Sequence, residues 1–107
     1  MADVVLSAKP ILERFRLDGR VALVTGGGGV LGSAMVTALH EAGAEVVIVG
    51  RSEKNHEVAA SLGTSERPIK AVVGDLNDPD SLRQAFTQAV DLLGGLDILI
   101  NSHGMVK

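Results

Sequence analysis

The sequence predicts an α/β fold with a parallel, doubly wound sheet. From residue 20 onward, short runs of Val, Ile and Leu alternate with longer segments whose apolar residues recur at helical spacing. Aromatic residues make up only 2% of the chain, so its core has to be aliphatic, as in strands that are buried on both faces. A cluster of glycines directly follows the first of these runs. This alternation is typical of parallel strands joined by right-handed helical crossovers.

Seven elements are expected in the order β-α-β-α-β-α-β. Gly43 and Gly63 end the first two helices, because glycine readily leaves the helical conformation. Ser52 is a candidate cap for the second helix. Asp78 followed by Pro79 is a strong start for the third, with the Asp78 carboxylate as its cap and proline at the first helical position. The predicted strands are 21–25, 45–49, 69–73 and 96–100, and the third helix is predicted at 78–93.

The length suits one domain of this class. Residues 17–107 contain the repeating pattern, and residues 1–16 precede it as an N-terminal extension. Pro10 either begins a short helix that reaches Phe15 or lies in a partly ordered tail. The implied strand order is 3-2-1-4, which places the switch point between the first and fourth strands. Ligands bind at the carboxyl ends of the strands in open sheets of this kind.

Composition excludes several classes of partner. The net charge of −3, without a basic cluster interleaved with aromatic residues, argues against nucleic-acid binding. The chain has no cysteine, so disulfides and thiolate metal sites are excluded. No apolar run is long enough to span a bilayer, and no signal-peptide pattern opens the chain. We therefore expect a soluble, cytoplasmic protein without a membrane partner.

The glycine cluster at 25–32 predicts a phosphate-binding loop. The pattern Gly-x-Gly-x-x-Gly fits Gly27, Gly29 and Gly32, and it stands between a strand and a helix as a dinucleotide-binding loop requires. Glycines let the backbone approach a ligand closely, and the helix that follows directs its N–H groups and positive dipole end at the same point. The context predicts the Rossmann type of doubly wound sheet.

A more specific pattern begins at Thr25. Thr-Gly-x-x-x-Gly-x-Gly at the end of the first strand resembles the signature of the short-chain dehydrogenase/reductase family. Thr25, Gly26 and Gly32 match this signature, whereas Val30 stands where the family usually has glycine. The segment that leads from Arg20 into the first strand is also similar to the family.

Two later segments extend the resemblance. Gly74-Asp75-Leu76 resembles the pair that contacts adenine in the family, in which Asp75 would accept a hydrogen bond from the exocyclic amine. The turn at 101–104 resembles the family's Asn-Asn-Ala-Gly turn, with Ser102 and His103 as departures. The resemblance implies these cofactor-binding residues: Gly26, Gly28, Gly29, Leu31, Gly32, Arg51, Ser52, Asp75, Leu76, Asn101, Ser102, His103 and Gly104.

The end of the second strand bears on which nicotinamide cofactor is bound. An acid at this point hydrogen-bonds the ribose 2′-hydroxyl of NAD, whereas an arginine accommodates the 2′-phosphate of NADP. This chain has Gly50, Arg51 and Ser52 there, and the first acid is Glu53. Glycine leaves room, and the guanidinium of Arg51 is a planar, charged donor. We expect NADP as the cofactor, with NAD as the alternative.

The other titratable residues have structural explanations. His40 lies late in the first helix, where a histidine favours the negative end of the dipole, and His56 is expected on an exposed face. Neither has an acid at metal-ligand spacing, so no metal site is predicted. Asp78 and Asp80 are expected to stabilise the start of the third helix, which leaves Asp75 as a candidate ligand residue.

The family resemblance implies an oxidoreductase that transfers hydride between a nicotinamide cofactor and an alcohol or carbonyl compound. The segment before the first strand resembles members that act on sugar acids, polyols or ketoses. The family's chemistry needs a Tyr-x-x-x-Lys pair with a preceding serine, and the chain has no tyrosine. We therefore assign no catalytic residue, expect the catalytic half to follow Lys107 in a longer enzyme, and predict that the 107 residues alone are inactive.

Two other functions stay open. The chain fits a non-catalytic module that senses or regulates through a bound nucleotide, and, less well, a sugar-nucleotide epimerase that shares the glycine loop. The family resemblance also implies a small-molecule substrate and a homo-oligomer, either a dimer or a tetramer.

Overall fold

The computed structural model describes residues 9–102. Four parallel strands form one sheet, and every strand after the first is preceded by a helix in the chain. A further, single-turn helix lies ahead of the first strand. The elements are α1 (Ile11–Arg14), β1 (Val21–Thr25), α2 (Val30–Glu41), β2 (Glu45–Gly50), α3 (Lys54–Leu62), β3 (Lys70–Val73), α4 (Pro79–Leu93) and β4 (Ile98–Asn101).

The strand order β3-β2-β1-β4 confirms the predicted order. β1 lies between β2 and β4, and all of its pairings are parallel. Thr25 at the carboxyl end of β1 is in register with Val49 on one side and with Asn101 on the other. The glycine loop, the end of β2 and the end of β4 therefore lie along one edge of the sheet.

Both faces of the sheet are covered by apolar side chains. On one face, Val24 and Ile48 pack with Val36 of α2 and Ala59 of α3. The opposite face has its own cluster, in which the strands pack on α4 through Ala85 and Ala89. Burial on both faces explains why the strand segments read as continuous apolar runs. Within the described residues, no helix is both long and apolar enough to cross a bilayer.

The segment before β1 forms the short helix that begins after Pro10, one of the two alternatives left open by its sequence. None of the residues of α1 is buried. The N–H of Leu17 donates to the carbonyl of Ala42 at 2.8 Å, which attaches the end of this segment to the end of α2.

The structure moves several predicted boundaries. β2 extends to Gly50, β3 begins at Lys70 rather than at 69, and β4 comprises Ile98–Asn101 rather than 96–100. Asp78 occupies the cap position of α4, but the prediction that its carboxylate caps the helix is wrong, since that side chain makes no capping hydrogen bond. Pro79 at the first position and the left-handed Gly94 at the end define α4 instead.

Candidate cofactor site

The glycine loop turns sharply at the end of β1. Gly26 has a φ of 70°, a left-handed conformation that favours glycine. Its N–H donates to the carbonyl of Val49 at 2.9 Å, and its carbonyl accepts from the N–H of Gly29 at 3.1 Å. The loop is therefore fixed to β2 and closed on itself before α2 begins.

Gly32 allows the first turn of α2 to pack directly on this loop. A Cβ atom at Gly32 would collide with the carbonyl oxygen of Gly26 and would lie 2.8 Å from the Cα atom of Gly27. The hydroxyl of Ser33 donates to the carbonyl of Gly27 at 3.2 Å and also contacts that of Gly29. Because only backbone surrounds Gly32, the loop has no side chain that could move aside for a larger residue.

Val30 and Leu31 begin α2 with exposed side chains. Val30 is 94% exposed and Leu31 is 66% exposed, so neither contributes to the core. The first backbone N–H groups of a helix have no partner within it and carry its positive dipole end. Val30 replaces the family's usual glycine without filling space inside the protein, and its side chain points into the solvent beside this anion-attracting end.

A cleft of about 460 Å³ joins the glycine loop to the end of β2. Five of the predicted cofactor-binding residues lie along it, contributed by the loop and by the segment after β2. The cleft also includes three residues that the site prediction left out. The lining residues are Gly26, Gly28, Gly29, Gly50, Arg51, Ser52, Lys54 and Asn55.

The cleft has a positive electrostatic character. Arg51 and Lys54 line it, and neither takes part in an ion pair with another of residues 9–102. Among the described residues, no acid lines the cleft, and the carboxylate of the neighbouring Glu53 lies 3.8 Å from the Nε2 atom of His56. The hydroxyl of Ser52 accepts from the N–H of Lys54, the first residue of α3, at 3.1 Å. The cap position itself is occupied by Glu53 rather than by the predicted Ser52, and the Glu53 side chain makes no capping hydrogen bond. An anionic ligand would meet two cations that no described residue neutralises by an ion pair.

Asn55 is the most buried polar side chain in the cleft. It is 5% exposed and fits between two glycines: its Oδ1 atom lies against Gly28 and its Nδ2 atom against Gly50. A Cβ atom at either glycine would collide with this amide. The sequence held a signal for this residue, since Asn55 shares one helical face with Val58, Ala59 and Leu62, where an apolar residue is expected.

Asp75 and Leu76 follow β3 next to the end of β2. The N–H of Gly74 donates to the carbonyl of Gly50 at 2.8 Å, which holds this segment beside the cleft. The carboxylate of Asp75 accepts from the N–H of Asn77 at 3.0 Å, and Leu76 packs against the core that faces α4. Neither residue lines the 460 Å³ cleft itself.

Asn101 lies on the other side of Thr25, in a second cleft of about 480 Å³ between β4 and α4. The hydroxyl of Thr25 contacts the carbonyl of Ile100 and the Asn101 Oδ1 atom, each at 3.4 Å. The hydroxyl of Ser102 donates to the carbonyl of Thr25 at 2.6 Å, so it secures the end of β4 to that of β1. His103 and Gly104 lie outside the described residues.

The strand order and the glycine-lined cleft at the carboxyl edge define a Rossmann-type α/β protein. The family model for short chain dehydrogenases matches residues 20–107. The chain therefore belongs to the short-chain dehydrogenase/reductase family, whose members are oxidoreductases that bind nicotinamide cofactors.

Named proteins illustrate this relationship. Galactitol 2-dehydrogenase of Rhizobium johnstonii is 39% identical over 93 residues, which cover 87% of this chain and 36% of that protein. The Pseudomonas aeruginosa RhlG/NADP active-site complex is 35% identical with a TM-score of 0.78, covering 87% of this chain and 36% of that one.

A third solved structure is 3-ketoacyl-(acyl-carrier-protein) reductase from Brucella melitensis complexed with NADH. It is 36% identical with a TM-score of 0.69, covering 78% of this chain and 33% of that one. This chain spans 36% to 38% of the length of the curated relatives that it matches.

Proposed function

We propose that this chain is the cofactor-binding part of an NADP-dependent oxidoreductase that transfers hydride between the nicotinamide and an alcohol or carbonyl compound. The observation that carries the proposal is the position of Arg51 and Ser52, which line the same cleft as the glycine loop. The carboxyl edge of the sheet is where a doubly wound fold binds its dinucleotide. The preference for NADP rests on the charges in this cleft.

The cleft suits a 2′-phosphate better than a free 2′-hydroxyl. Arg51 offers a planar set of donors that matches the oxygens of a phosphate, and Lys54 adds a second cation. No Asp or Glu lines the cleft, so the acceptor on which NAD-binding sites rely is missing. NAD is the alternative cofactor, and the relatives include complexes with both types of nucleotide.

The remaining residues take the roles that the family resemblance implies. The N–H groups at the start of α2 hold the pyrophosphate, with Gly26, Gly32 and the exposed Leu31 around them. Asp75 accepts from the adenine amine, with Leu76 beside it. Asn101 and Ser102 contact the cofactor from the end of β4, and the resemblance adds His103 and Gly104 to the cofactor-binding residues.

A polyol, sugar acid or ketose is the substrate class that we propose for the whole enzyme. Support comes from the relative that is named galactitol 2-dehydrogenase. The chain has no tyrosine, so the 107 residues alone should bind cofactor without turning over substrate. The dimeric or tetrameric assembly and the cytoplasmic location remain predictions.

Calorimetric titration of the protein with NADP+ and with NAD+ tests the proposal. We expect tighter binding of NADP+ than of NAD+. Arg51→Ala should lower the affinity for NADP+ by about tenfold or more and change the affinity for NAD+ little, since only the 2′-phosphate contact is lost. Arg14→Ala removes an equal charge from the exposed α1 helix and is the matched control. The NADP assignment would be excluded if the wild-type protein bound NADP+ and NAD+ with equal affinity and Arg51→Ala changed neither affinity.

Net oxidation of a polyol by the complete enzyme, measured as reduction of added NADP+, separates this function from a sugar-nucleotide epimerase, which also has a glycine loop. Hydride transfer by the complete enzyme with added NADP+ and a polyol distinguishes the oxidoreductase from a nucleotide-sensing module. A complete enzyme that binds NADP+ but oxidises or reduces no alcohol or carbonyl compound would favour the module.

A further inference from the structure

Asn55 is 5% exposed as a residue and lines the open cleft, and its side-chain amide, which makes no hydrogen bond to another of residues 9–102, is accessible from that cleft. An apolar side chain at the same point of α3 would continue the face formed by Val58, Ala59 and Leu62. A ligand in the cleft can therefore hydrogen-bond with this amide.

The surroundings of Asn55 are shaped around this amide. Gly28 belongs to the glycine loop and Gly50 ends β2, and the absence of a side chain at both leaves the space that the amide fills. The Oδ1 and Nδ2 atoms thus lie between the two backbone segments that border the cleft. A ligand that sits between the loop and β2 would meet them directly.

The chemistry of the cleft selects the partner. In dinucleotide-binding folds an acid at the end of the second strand accepts hydrogen bonds from the adenosine ribose. None of the described residues that line this cleft is an acid, and the side-chain carbonyl of Asn55 is an acceptor in its wall. An amide provides the acceptor without the negative charge that would repel a 2′-phosphate held by Arg51.

We propose that Asn55 is a cofactor-contacting residue: its side-chain carbonyl accepts a hydrogen bond from a free hydroxyl of the adenosine ribose, in place of the missing acid. This inference rests on the proposed function and adds a specificity determinant to it. Arg51 binds the charged 2′-phosphate. Asn55 binds the ribose and, because it is uncharged, does not repel that phosphate.

Two substitutions of similar size test this role. Asn55→Asp keeps the acceptor and adds a negative charge, so NADP+ affinity should fall at least tenfold more than NAD+ affinity. Asn55→Leu removes the acceptor, and the affinities for both cofactors should fall by about five- to tenfold. Gln84→Glu introduces the same charge on the exposed side of α4 and should change neither affinity.

The measurement is calorimetric titration of the protein and each variant with NADP+ and NAD+, followed by adenosine 2′,5′-bisphosphate and ADP. Adenosine 2′,5′-bisphosphate and ADP lack the nicotinamide, so a change in their affinity arises at the adenosine end of the site. Thermal unfolding without ligand verifies that each variant is folded, and Asn55→Ser replaces Asn55→Leu if the latter does not fold. A serine cannot reach as far, so the same loss is expected for both cofactors.

The outcomes are distinct. A loss of affinity in Asn55→Asp that is selective for NADP+ and adenosine 2′,5′-bisphosphate supports the role of Asn55. Equal losses of affinity for both cofactors in Asn55→Asp, or unchanged affinities in Asn55→Leu, overturn this role. The proposed function still stands in that case if the wild-type protein binds NADP+. A wild-type protein that binds none of the four ligands overturns both proposals.

Discussion

His40 and Arg67 each hydrogen-bond the backbone carbonyl of the other, and both distances are 2.8 Å. His40 lies in the last turn of α2 and is 6% exposed, whereas Arg67 belongs to the connection between α3 and β3. Because a carbonyl only accepts, the Nε2 atom of His40 carries the proton in this contact. The pair ties the approach to β3 to the end of α2, where helix carbonyls lack partners within the helix.

Loss of this connection should destabilise the fold without affecting the cleft. Arg67→Ala removes the donor to the carbonyl of His40, and we expect the free energy of unfolding to fall by about 1 kcal/mol. Urea denaturation measures the change. Arg83→Ala removes an exposed arginine that pairs only with Asp80 among the described residues, and it should cost less than about 0.5 kcal/mol. Equal effects of the two substitutions would contradict the role of Arg67.

Gly32 should tolerate no side chain. The Cβ atom of Gly32→Ala would meet backbone atoms of Gly26 and Gly27, which cannot rotate away. We expect a loss of about 1–3 kcal/mol in unfolding free energy, despite the better helix propensity of alanine. Gly29→Ala is the matched comparison, since its Cβ atom would lie 3.5 Å from the carbonyl oxygen of Gly26. Gly29→Ala should lower the free energy of unfolding by at most about 1 kcal/mol, because alanine is a poorer residue than glycine at the cap position of α2.

Gly28 and Asn55 should be energetically coupled. Gly28→Ala places a methyl group where the Asn55 amide lies, so the single variant should be destabilised. Asn55→Ala opens that space, and the double variant should be more stable than the sum of the single effects predicts, by about 1 kcal/mol. Denaturation of all four proteins of the cycle measures the coupling energy. Additive effects would show that the two residues do not share this space.

The surface formed by β4 and α4 should make the chain self-associate. Within the part of the chain that the structure describes, β4 pairs only with β1. Leu99 of β4 is 47% exposed and Phe86 of α4 is 38% exposed. An unpaired edge flanked by apolar side chains favours association. Leu99→Lys should lower the apparent mass in sedimentation at high concentration. Leu12→Lys, on the exposed α1 helix, should not, and a wild-type chain that stays monomeric would contradict the expectation.

Asp18 should titrate below the usual range for a carboxyl group. The Arg16 guanidinium donates to both of its carboxyl oxygens, at 2.8 and 3.2 Å, and this hydrogen bonding lowers the pKa of Asp18. A lowered folded-state pKa stabilises the protein above the pKa of the unfolded chain, and this contribution disappears as pH falls through the folded-state value. Both side chains are exposed, so the effect on stability should be small.

Carbon-detected NMR titration of Asp18 measures this shift directly. In Arg16→Gln the pKa of Asp18 should rise back towards its ordinary value, because the charged donor is lost. Arg14→Gln removes a nearby charge without touching Asp18 and is the control. An unchanged pKa of Asp18 in Arg16→Gln would assign the shift to another cause.

Most of the architecture follows from local patterns. The apolar runs and the glycines between them predict all four strands, and the alternation with helices predicts their order, because parallel strands need crossovers of one hand. The glycine loop, Arg51 and Ser52 are also recognisable, since each stands directly after a predicted strand. Strand ends are less well determined, as Gly50 and Asn101 join their strands only through pairing with neighbours.

Local patterns in the chain are enough to specify the fold class, the family resemblance and the edge of the sheet at which the cleft lies. The position of Asn55 between Gly28 and Gly50 depends on how α3 packs on the sheet, since its place on the apolar face of that helix shows an unusual polar residue but not what it contacts. Only the tertiary structure decided that the carboxylate of Asp78 makes no cap and that His40 pairs with Arg67. Such contacts join residues far apart in the chain, and their geometry depends on how helices pack on the sheet, which no local pattern specifies.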